Sequence, residues 1–357
     1  MTAPDTDIRS AFRGRGAACT RLGSPFMGRL MPLMADRLRP TGAVVRRVLG
    51  WPGDVGPGGQ SVPLRLAGAL HGLVLDGADQ GLIAAYPPHA VGDDTLFAAV
   101  EAAMARNETR LMAWLDHAPQ TNEVRRAGAL IPAIWWALAR HDLPVTLSEL
   151  GASAGLNLSL DRFALAVGGV GGVVHGPADS PVRLAPRWTG PVPAPRPIRV
   201  ADRAGVDLNP LDPAEHALRL CAFLWPDQPE RLALTRGAIA LCTAVPERGD
   251  AARWLTARLA TPRPGRLHVV YHSIAWQYFP PATQATARAA LEAAGALATP
   301  EAPLAHIAME ADGDSHGAAL MAQIWPAPPG QEGPQTLARV DFHGRWVEWQ
   351  AQALPVA

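Results

Sequence analysis

Hydrophobic positions in the first 142 residues recur at the spacing of helices rather than strands. The segment from Thr95 to Asp116 carries apolar side chains at steps of three, four or seven residues, at Phe97, Val100, Met104, Leu111 and Leu115. The next segment repeats this spacing at Val124, Ala127, Ile131, Ile134 and Leu138. Thr121 or Asn122 is placed to cap this second helix, and Pro132 is expected to kink or shorten it. We therefore predict a helical N-terminal region over residues 1–142, acting as a lid or substrate cap.

From Pro144 onward, segments with strand character alternate with helical ones. Pro144 to Leu150 reads as a strand that runs straight into the bend Gly151 to Gly155, and a short helix can begin at Leu156 or Asn157. Further strands are predicted at Arg199–Leu208, Leu267–Ser273, Leu304–Glu310, Ala318–Trp325 and Leu337–Trp349, the last with Gly344 as a bend. Further helices are predicted at Asp212–Leu224, Pro229–Leu241, Asp250–Leu259 and Thr283–Ala294. This alternation is typical of a Rossmann-like, doubly wound α/β fold with a mostly parallel sheet and an antiparallel edge, over residues 143–357.

An insertion with β character interrupts this pattern at about residues 163–203. Its short apolar pieces, separated by Gly and Pro, are Phe163 to Val167, Val173 to His175 and Val182 to Ala185. Short apolar runs between turn residues favour strands over helices. We predict an antiparallel insertion inside the α/β domain.

Composition and charge narrow the possible functions. The chain has 357 residues, 48% of them hydrophobic, with 32 basic and 32 acidic side chains and a formal net charge of zero. A chain this long favours two structural units over one, and the balanced charge gives no electrostatic support for binding nucleic acid or an acidic membrane surface. The cysteines Cys19, Cys221 and Cys242 are widely spaced, so neither a disulfide framework nor a metal site is expected. We expect a cytoplasmic protein without a membrane-spanning segment, whose partner is a small-molecule ligand.

The bend Gly151 to Gly155 carries the main functional signal. Glycines between a strand and a helix let the backbone approach a ligand closely at the carboxyl end of a parallel sheet. Glu149 precedes the bend at the end of a buried strand, where removal of a carboxylate from water costs several kcal/mol. A helix N-terminus returns only about 0.3–1 kcal/mol, so Glu149 is expected to need a partner.

These residues resemble the first motif of class I S-adenosylmethionine-dependent methyltransferases. That motif has an acidic residue two positions before a Gly-x-Gly-x-Gly-like turn, here Glu149, Gly151, Ser153 and Gly155. The stretch from Gly205 to Pro210 is similar to the family's second acidic strand end, and the resemblance implies that Asp207 accepts hydrogen bonds from the ribose hydroxyls. The cofactor-binding residues it implies are Glu149, Gly151, Ser153, Gly155, Asn157, Asp207 and Asn209.

The chain as a whole also resembles a bacterial family known as domain-of-unknown-function family 2332. The similarity rests on four stretches spread over most of the chain, namely residues 120–126, 149–158, 205–212 and 271–273. This resemblance implies no particular reaction.

Other polar residues are candidates for the substrate side of the site. His272 and Ser273 end a strand parallel to the first, where a general base could meet an acceptor, although a buried structural histidine is an equally good interpretation. The predicted substrate-binding residues are Asn122, Arg125, Arg126, Trp276, Tyr278 and Glu310. For Asn122 a helix cap is the favoured alternative, and for Trp276 and Tyr278 it is ordinary aromatic packing.

Two alternatives to methyl transfer stay open. The sequence Gly151-Ala152-Ser153-Ala154-Gly155 also satisfies Gly-x-Ser-x-Gly, the nucleophile elbow of α/β-hydrolases. In that hypothesis Ser153 attacks an acyl carbonyl, one of His272, His316 or His343 is the base, and Asp312 orients it. The other alternative is a catalytically silent α/β binding module.

Overall fold

The computed structural model describes residues 3–168 and 172–351, which divide into two compact units. The first unit consists of the chain up to Thr121 together with His216–Ala233, and the second of Asn122–Glu215 and the described residues from Leu234 onward. This division differs from the predicted boundary after residue 142. Residues 122–142 group with the sheet, and a helical segment from late in the chain groups with the N-terminal helices.

The first unit is helical, as its apolar spacing predicts. Its helices before Thr121 are α1 (Ala3–Arg21), α2 (Pro25–Arg37), α3 (Gly42–Leu49), α4 (Val62–Leu75), α5 (Gln80–Ile83), α6 (Asp93–Arg106) and α7 (Glu108–Leu115). The prediction of one helix from Thr95 to Asp116 is wrong, because Asn107 has a non-helical backbone with φ −113° and ψ 26°. The Asn107 side chain donates to Asp79 Oδ2 at 2.9 Å, and this bond holds the break between α6 and α7.

The second unit is a mixed α/β unit. Its strands are β1 (Val145–Leu150), β2 (Ala164–Val167), β3 (Val173–His175), β4 (Arg183–Leu184), β5 (Arg187–Thr189), β6 (Val200–Asp207), β7 (Glu247–Arg248), β8 (Leu267–Ser273), β9 (Leu304–Glu310), β10 (Ala318–Trp325), β11 (Gln335–Val340) and β12 (Trp346–Trp349). The remaining helices of the chain are α8 (Ala127–Leu138), α9 (Pro213–Ala222), α10 (Pro229–Leu241), α11 (Ala251–Leu259) and α12 (Pro281–Ala296). Short 3-10 helices cover Val124–Arg126, Leu156–Arg162 and Trp276–Tyr278. α8 continues through Pro132, which was expected to kink or shorten it, and ends at Leu138.

The main sheet has nine strands in the order β5-β12-β11-β10-β9-β8-β1-β6-β7. The strands β7, β6, β1, β8 and β9 are parallel to one another, whereas β9 through β12 form an antiparallel series. The predicted mixed α/β fold with a mostly parallel sheet is therefore confirmed. The carboxyl ends of β1, β6 and β8 meet at one edge, and the bend after β1 lies there.

Side chains of the central strands alternate between two differently covered faces of the sheet. Glu149 and Tyr271 are register partners on one face, where the 3-10 helix Leu156–Arg162 packs against β1 and β6. Val270 and His272 point to the other face. Val270 packs there in one core cluster with residues of α11 and α12. Residues adjacent in sequence at the ends of these strands thus belong to different environments.

The predicted antiparallel insertion is only partly correct. β2 pairs with β3 in antiparallel fashion, but it pairs with β4 in parallel. β5 is not part of this small sheet. It pairs in parallel with β12 at the far edge of the main sheet. This last pairing joins segments about 160 residues apart, so no local pattern predicts it.

Candidate functional site

The bend after β1 has a backbone conformation that few residues tolerate. Gly151, Ser153 and Gly155 have φ values of +65°, +55° and +72°. A non-glycine residue in this left-handed region costs free energy and is concentrated at functional sites. Ser153 is held there because its N–H donates to Asp207 Oδ2 and its carbonyl accepts from Leu211 N.

The two glycines are required by close approach of the protein's own chain as well as by φ. A Cβ atom added to Gly151 would lie 2.5 Å from the Cβ of Ala275. One added to Gly155 would lie 2.8 Å from the carbonyl oxygen of Ala244. Neighbouring loops therefore pack directly on the bend.

Asp207 lies beside the bend and fixes it by accepting hydrogen bonds from backbone N–H groups. Its Oδ2 accepts from Ser153 N at 2.9 Å and its Oδ1 accepts from Asn209 N at 2.8 Å. The side chain of Asn209 accepts in turn from Arg248 Nη1. A carboxylate has about four acceptor positions, so the half-buried Asp207 keeps capacity for two further donors.

Glu149 is buried and weakly partnered. It is 2% exposed, and the Tyr271 hydroxyl lies 3.4 Å from Glu149 Oε2 but only 3.1 Å from the carbonyl oxygen of Asn157. The hydroxyl has one proton, so the shorter contact to Asn157 takes precedence. The pKa of Glu149 is raised to about 8, mainly by burial and also by Asp207, while Tyr271 and Arg126 act in the opposite direction. Glu149 is therefore mostly protonated at neutral pH.

Two more polar atoms near Glu149 are buried without a hydrogen bond from the described residues. They are Ser153 Oγ and Asn157 Oδ1, in side chains that are 6% and 1% exposed. The Asn157 amide nitrogen reaches only the carbonyl oxygen of Glu123, at 3.4 Å. Buried polar atoms almost always have a partner, so these two indicate that a water or a ligand completes the site.

His272 occupies the opposite face of the sheet and has both ring nitrogens engaged. Nδ1 lies 2.7 Å from Glu310 Oε1, and Nε2 lies 3.0 Å from His306 Nε2. Its ring stacks on Trp276 at 4.8 Å between centroids. Burial, together with the nearby His272 and Arg288, lowers the pKa of His306 to about 3, so His306 is neutral at physiological pH. His272 can reach a substrate only if one of these contacts breaks.

Glu310 holds the loop that follows β8. Its Oε1 accepts from Ala275 N at 3.0 Å and from Trp276 N at 3.1 Å, in addition to the His272 contact. Ile274, at the start of this loop, has a left-handed φ of +49°. Because Ala275 packs on Gly151, Glu310 indirectly sets the position of one wall of the bend.

Most of the remaining candidate residues form hydrogen bonds or ion pairs within the chain. Asn122 Oδ1 accepts from Leu156 N at 2.8 Å, so the prediction that Asn122 caps the following helix is wrong. Glu123 takes the capping position and pairs with Arg125 at 3.2 Å. Arg126 donates to the carbonyl oxygens of Phe342 and Ser273, both at 3.0 Å. Unlike these residues, Tyr278 is 70% exposed.

Two of the residues considered for a hydrolase, His316 and Asp312, form contacts away from Ser153. His316 Nε2 bonds to Glu348, and Asp312 pairs with Arg339. His343 lies in the turn between β11 and β12, where its backbone N–H donates to Asp341 Oδ1. No histidine within the described part of the chain hydrogen-bonds to Ser153 Oγ.

Two residues of the site were missed by the sequence analysis. Tyr271 was noted only as part of a motif, yet its hydroxyl is the contact nearest to Glu149. His306 lies in the middle of β9 and has no motif around it. The available signal was its spacing, because His306 and Glu310 are an even number of residues apart and so share a face of the strand.

The described residues form neither a metal cluster nor a membrane-spanning helix. Across residues 3–168 and 172–351, no group of three or more His, Cys, Asp or Glu side chains is arranged to hold a metal ion. None of the helices in the same ranges is long and apolar enough to span a membrane.

Comparison with known proteins gives one assignment. The family model described as "uncharacterized protein conserved in bacteria (DUF2332)" matches residues 9–349. The chain belongs to this family. The DUF2332 match covers both structural units, and it assigns no reaction to them. Searches of the curated proteins and of the solved structures gave no significant match.

Proposed function

We propose that the second unit of this DUF2332 protein binds S-adenosylmethionine and is methyltransferase-like. The observation that carries the proposal is the position of two acidic residues at one sheet edge. Glu149 is the next-to-last residue of β1, and Asp207 is the last residue of the neighbouring parallel strand β6. The hydrogen bond of 2.9 Å from Ser153 N holds Asp207 against the glycine bend. The resemblance to class I methyltransferases implies this order of features, which is an acidic residue, a tight bend and a second acidic residue.

The strand order supports a Rossmann-like, doubly wound fold. Numbered along the chain, the parallel strands β7, β6, β1, β8 and β9 have the order 3-2-1-4-5. Sheets of this kind bind ligands outside the carboxyl ends of their strands, where the strand order reverses. Here that point lies between β1 and β8, and Glu149 and Tyr271 flank it.

The polar atoms around the bend fit such a cofactor. Asp207 has spare acceptor capacity for ribose hydroxyls, and Ser153 Oγ and Asn157 Oδ1 are buried atoms that still need a partner. A cationic group opposite Glu149 would lower the cost of ionising this buried carboxyl. The cofactor, when bound, would supply an electrophilic methyl group.

The residues of the chain would contribute mainly by positioning. Methyl transfer from a sulfonium depends mostly on in-line placement in a dry site. His272 has both ring nitrogens bonded, which favours a role in fixing the loop after β8 over direct removal of a proton.

A melting scan with S-adenosylmethionine and S-adenosylhomocysteine tests the proposal. Ligand at one hundred times its dissociation constant adds about 2.7 kcal/mol of stability, so a shift of at least a degree is expected. Absence of a shift with both compounds at millimolar concentration would reject the proposal.

Matched variants separate a binding role of Asp207 from its structural role. Asp207→Ala should lose the ligand-induced shift. Asp250→Ala is the control, because Asp250 also accepts a backbone N–H, from Arg253 at 3.0 Å, but is no part of the bend. If both variants lose stability and both keep the ligand shift, the assignment of Asp207 to the ribose is wrong.

One observation favours the serine-esterase alternative. The left-handed φ of Ser153 is the conformation expected of a strained nucleophile in a strand-to-helix turn. Covalent labelling of Ser153 by a fluorophosphonate would place this alternative first. A protein with neither response would be a binding module.

A further inference from the structure

The second unit contains a pocket beside the β insertion, apart from the candidate cofactor site. Its volume is about 410 Å³, within the range of small-molecule sites. The inner wall consists of nearly fully buried apolar side chains, namely Ile131, Trp135, Leu160, Phe163 and Leu165. None of the pocket's lining residues belongs to the candidate cofactor site, so the two sites are distinct.

Around the rim of this pocket, guanidinium groups outnumber carboxylates. Its charged residues are Asp161 and Arg196. Asp161 accepts two hydrogen bonds from Arg203, at 2.8 and 3.0 Å, and this closed ion pair leaves little negative field. Outside the pocket, Asp142 is shared between Arg196 and Arg199, so one carboxylate faces two guanidinium groups.

Arg196 is incompletely partnered. Its contact with Asp142 is 3.6 Å, which is beyond hydrogen-bond distance. Its Nε is buried and has no hydrogen bond from the described residues. A buried N–H on a charged group is costly when unpaired, so an acceptor is expected beside Arg196, which lines the pocket.

We infer that this pocket binds a small organic acid whose apolar body lies against Trp135 and Phe163 and whose carboxylate bonds to Arg196. A guanidinium matches a carboxylate geometrically and binds it through charge-assisted hydrogen bonds. The aromatic and aliphatic inner wall suits a ring or a short hydrocarbon chain. His175, which meets the Trp135 ring edge-on at 5.3 Å, closes one side.

Calorimetric titration with 4-phenylbutyrate, and with 4-phenylbutan-1-ol as its neutral analogue, tests this inference. The acid should bind the full-length protein more tightly than the alcohol. Arg196→Gln should weaken binding of the acid about tenfold or more and leave the alcohol within twofold. Arg199→Gln is the matched control, because Arg199 shares Asp142 but does not line the pocket.

A variant that fills the pocket provides a second test. Ile198 is half-buried at the rim, and Ile198→Trp should abolish binding of both compounds. The inference is overturned if neither compound binds at millimolar concentration, if the alcohol binds as tightly as the acid, or if Arg199→Gln weakens the acid as much as Arg196→Gln. Because Asp207→Ala should leave binding of the acid unchanged, the outcome is separate from that of the cofactor proposal.

Discussion

Glu149 and Glu310 are the same residue type at the ends of two parallel strands, yet the chain treats them differently. Glu310 Oε1 receives hydrogen bonds from Ala275 N and Trp276 N and lies 2.7 Å from His272 Nδ1. Glu149 has one long contact, at 3.4 Å from the Tyr271 hydroxyl, and its pKa is raised to about 8. The folded chain therefore uses Glu310 to fix a loop. For Glu149, by contrast, the folded chain supplies no close hydrogen-bond partner among the described residues.

Electrostatics explains why the different partnering of Glu149 and Glu310 matters. An acid that the protein satisfies is part of the scaffold, whereas an under-partnered buried acid destabilises the native state unless it holds a proton or meets a cation. Such a cost is often retained at functional sites. The contrast is the physical basis for placing the candidate site on the Glu149 face of the sheet.

The largest expected effect is the pH dependence of stability caused by Glu149. Its native pKa of about 8 exceeds the ordinary value of 4.5, so between these pH values the native state holds a proton that the unfolded chain has released. Stability should fall as pH rises from 5 to 8 and level off above that, by roughly 4 kcal/mol relative to Glu149→Gln. Urea unfolding of both proteins across this pH range measures it. If the free energies of unfolding of the parent and of Glu149→Gln changed equally with pH, Glu149 would not have a raised pKa.

The next effect concerns Glu310. Glu310→Ala removes the acceptor for the amides of Ala275 and Trp276, and the expected loss of stability is about 2–3 kcal/mol. These two amides should exchange their hydrogens faster, as hydrogen-exchange mass spectrometry can detect. Glu292→Ala, at an exposed position of α12, should stay within about 0.5 kcal/mol of the parent. Unchanged exchange in Glu310→Ala would show that other contacts hold the loop.

The smallest effect is expected at Ser153. Glycine tolerates the φ of +55° without strain but costs more chain entropy, so Ser153→Gly should change stability by less than about 1 kcal/mol. The variant should keep only part of any shift caused by S-adenosylmethionine, because it keeps the backbone N–H to Asp207 but loses the Oγ that the ligand would engage. A hydrolase would lose all activity in this variant, which is measured with p-nitrophenyl esters.

Local sequence pattern predicted much of the sheet unit. The predicted bounds of β8, β9, β10 and α10 agree with the structure. β9 and β10 are apolar segments that are followed by turn residues, Asp312-Gly313 and Pro326 respectively. The pairing of the ends of β1 and β6 also followed from the parallel-sheet expectation. What this reasoning could not supply were the long-range partners.

The parts of the site that sequence did not predict depend on register and tertiary contact. Tyr271 faces Glu149 because β8 aligns Tyr271 with that residue, and a shift of one position would have turned His272 toward it instead. Asn122 bonds to Leu156 N, a contact across 34 residues that no cap rule contains. His306 acquires its role only because β9 lies next to β8.

The pairing of β5 with β12 has a consequence for how the protein is made. Residues 187–189 cannot complete their hydrogen bonds until residues 346–348 have left the ribosome. Closing so long a loop is costly in entropy and slow. During synthesis β5 therefore lacks its partner strand until the end of the chain has been made, and an unpaired strand is a place where aggregation can begin.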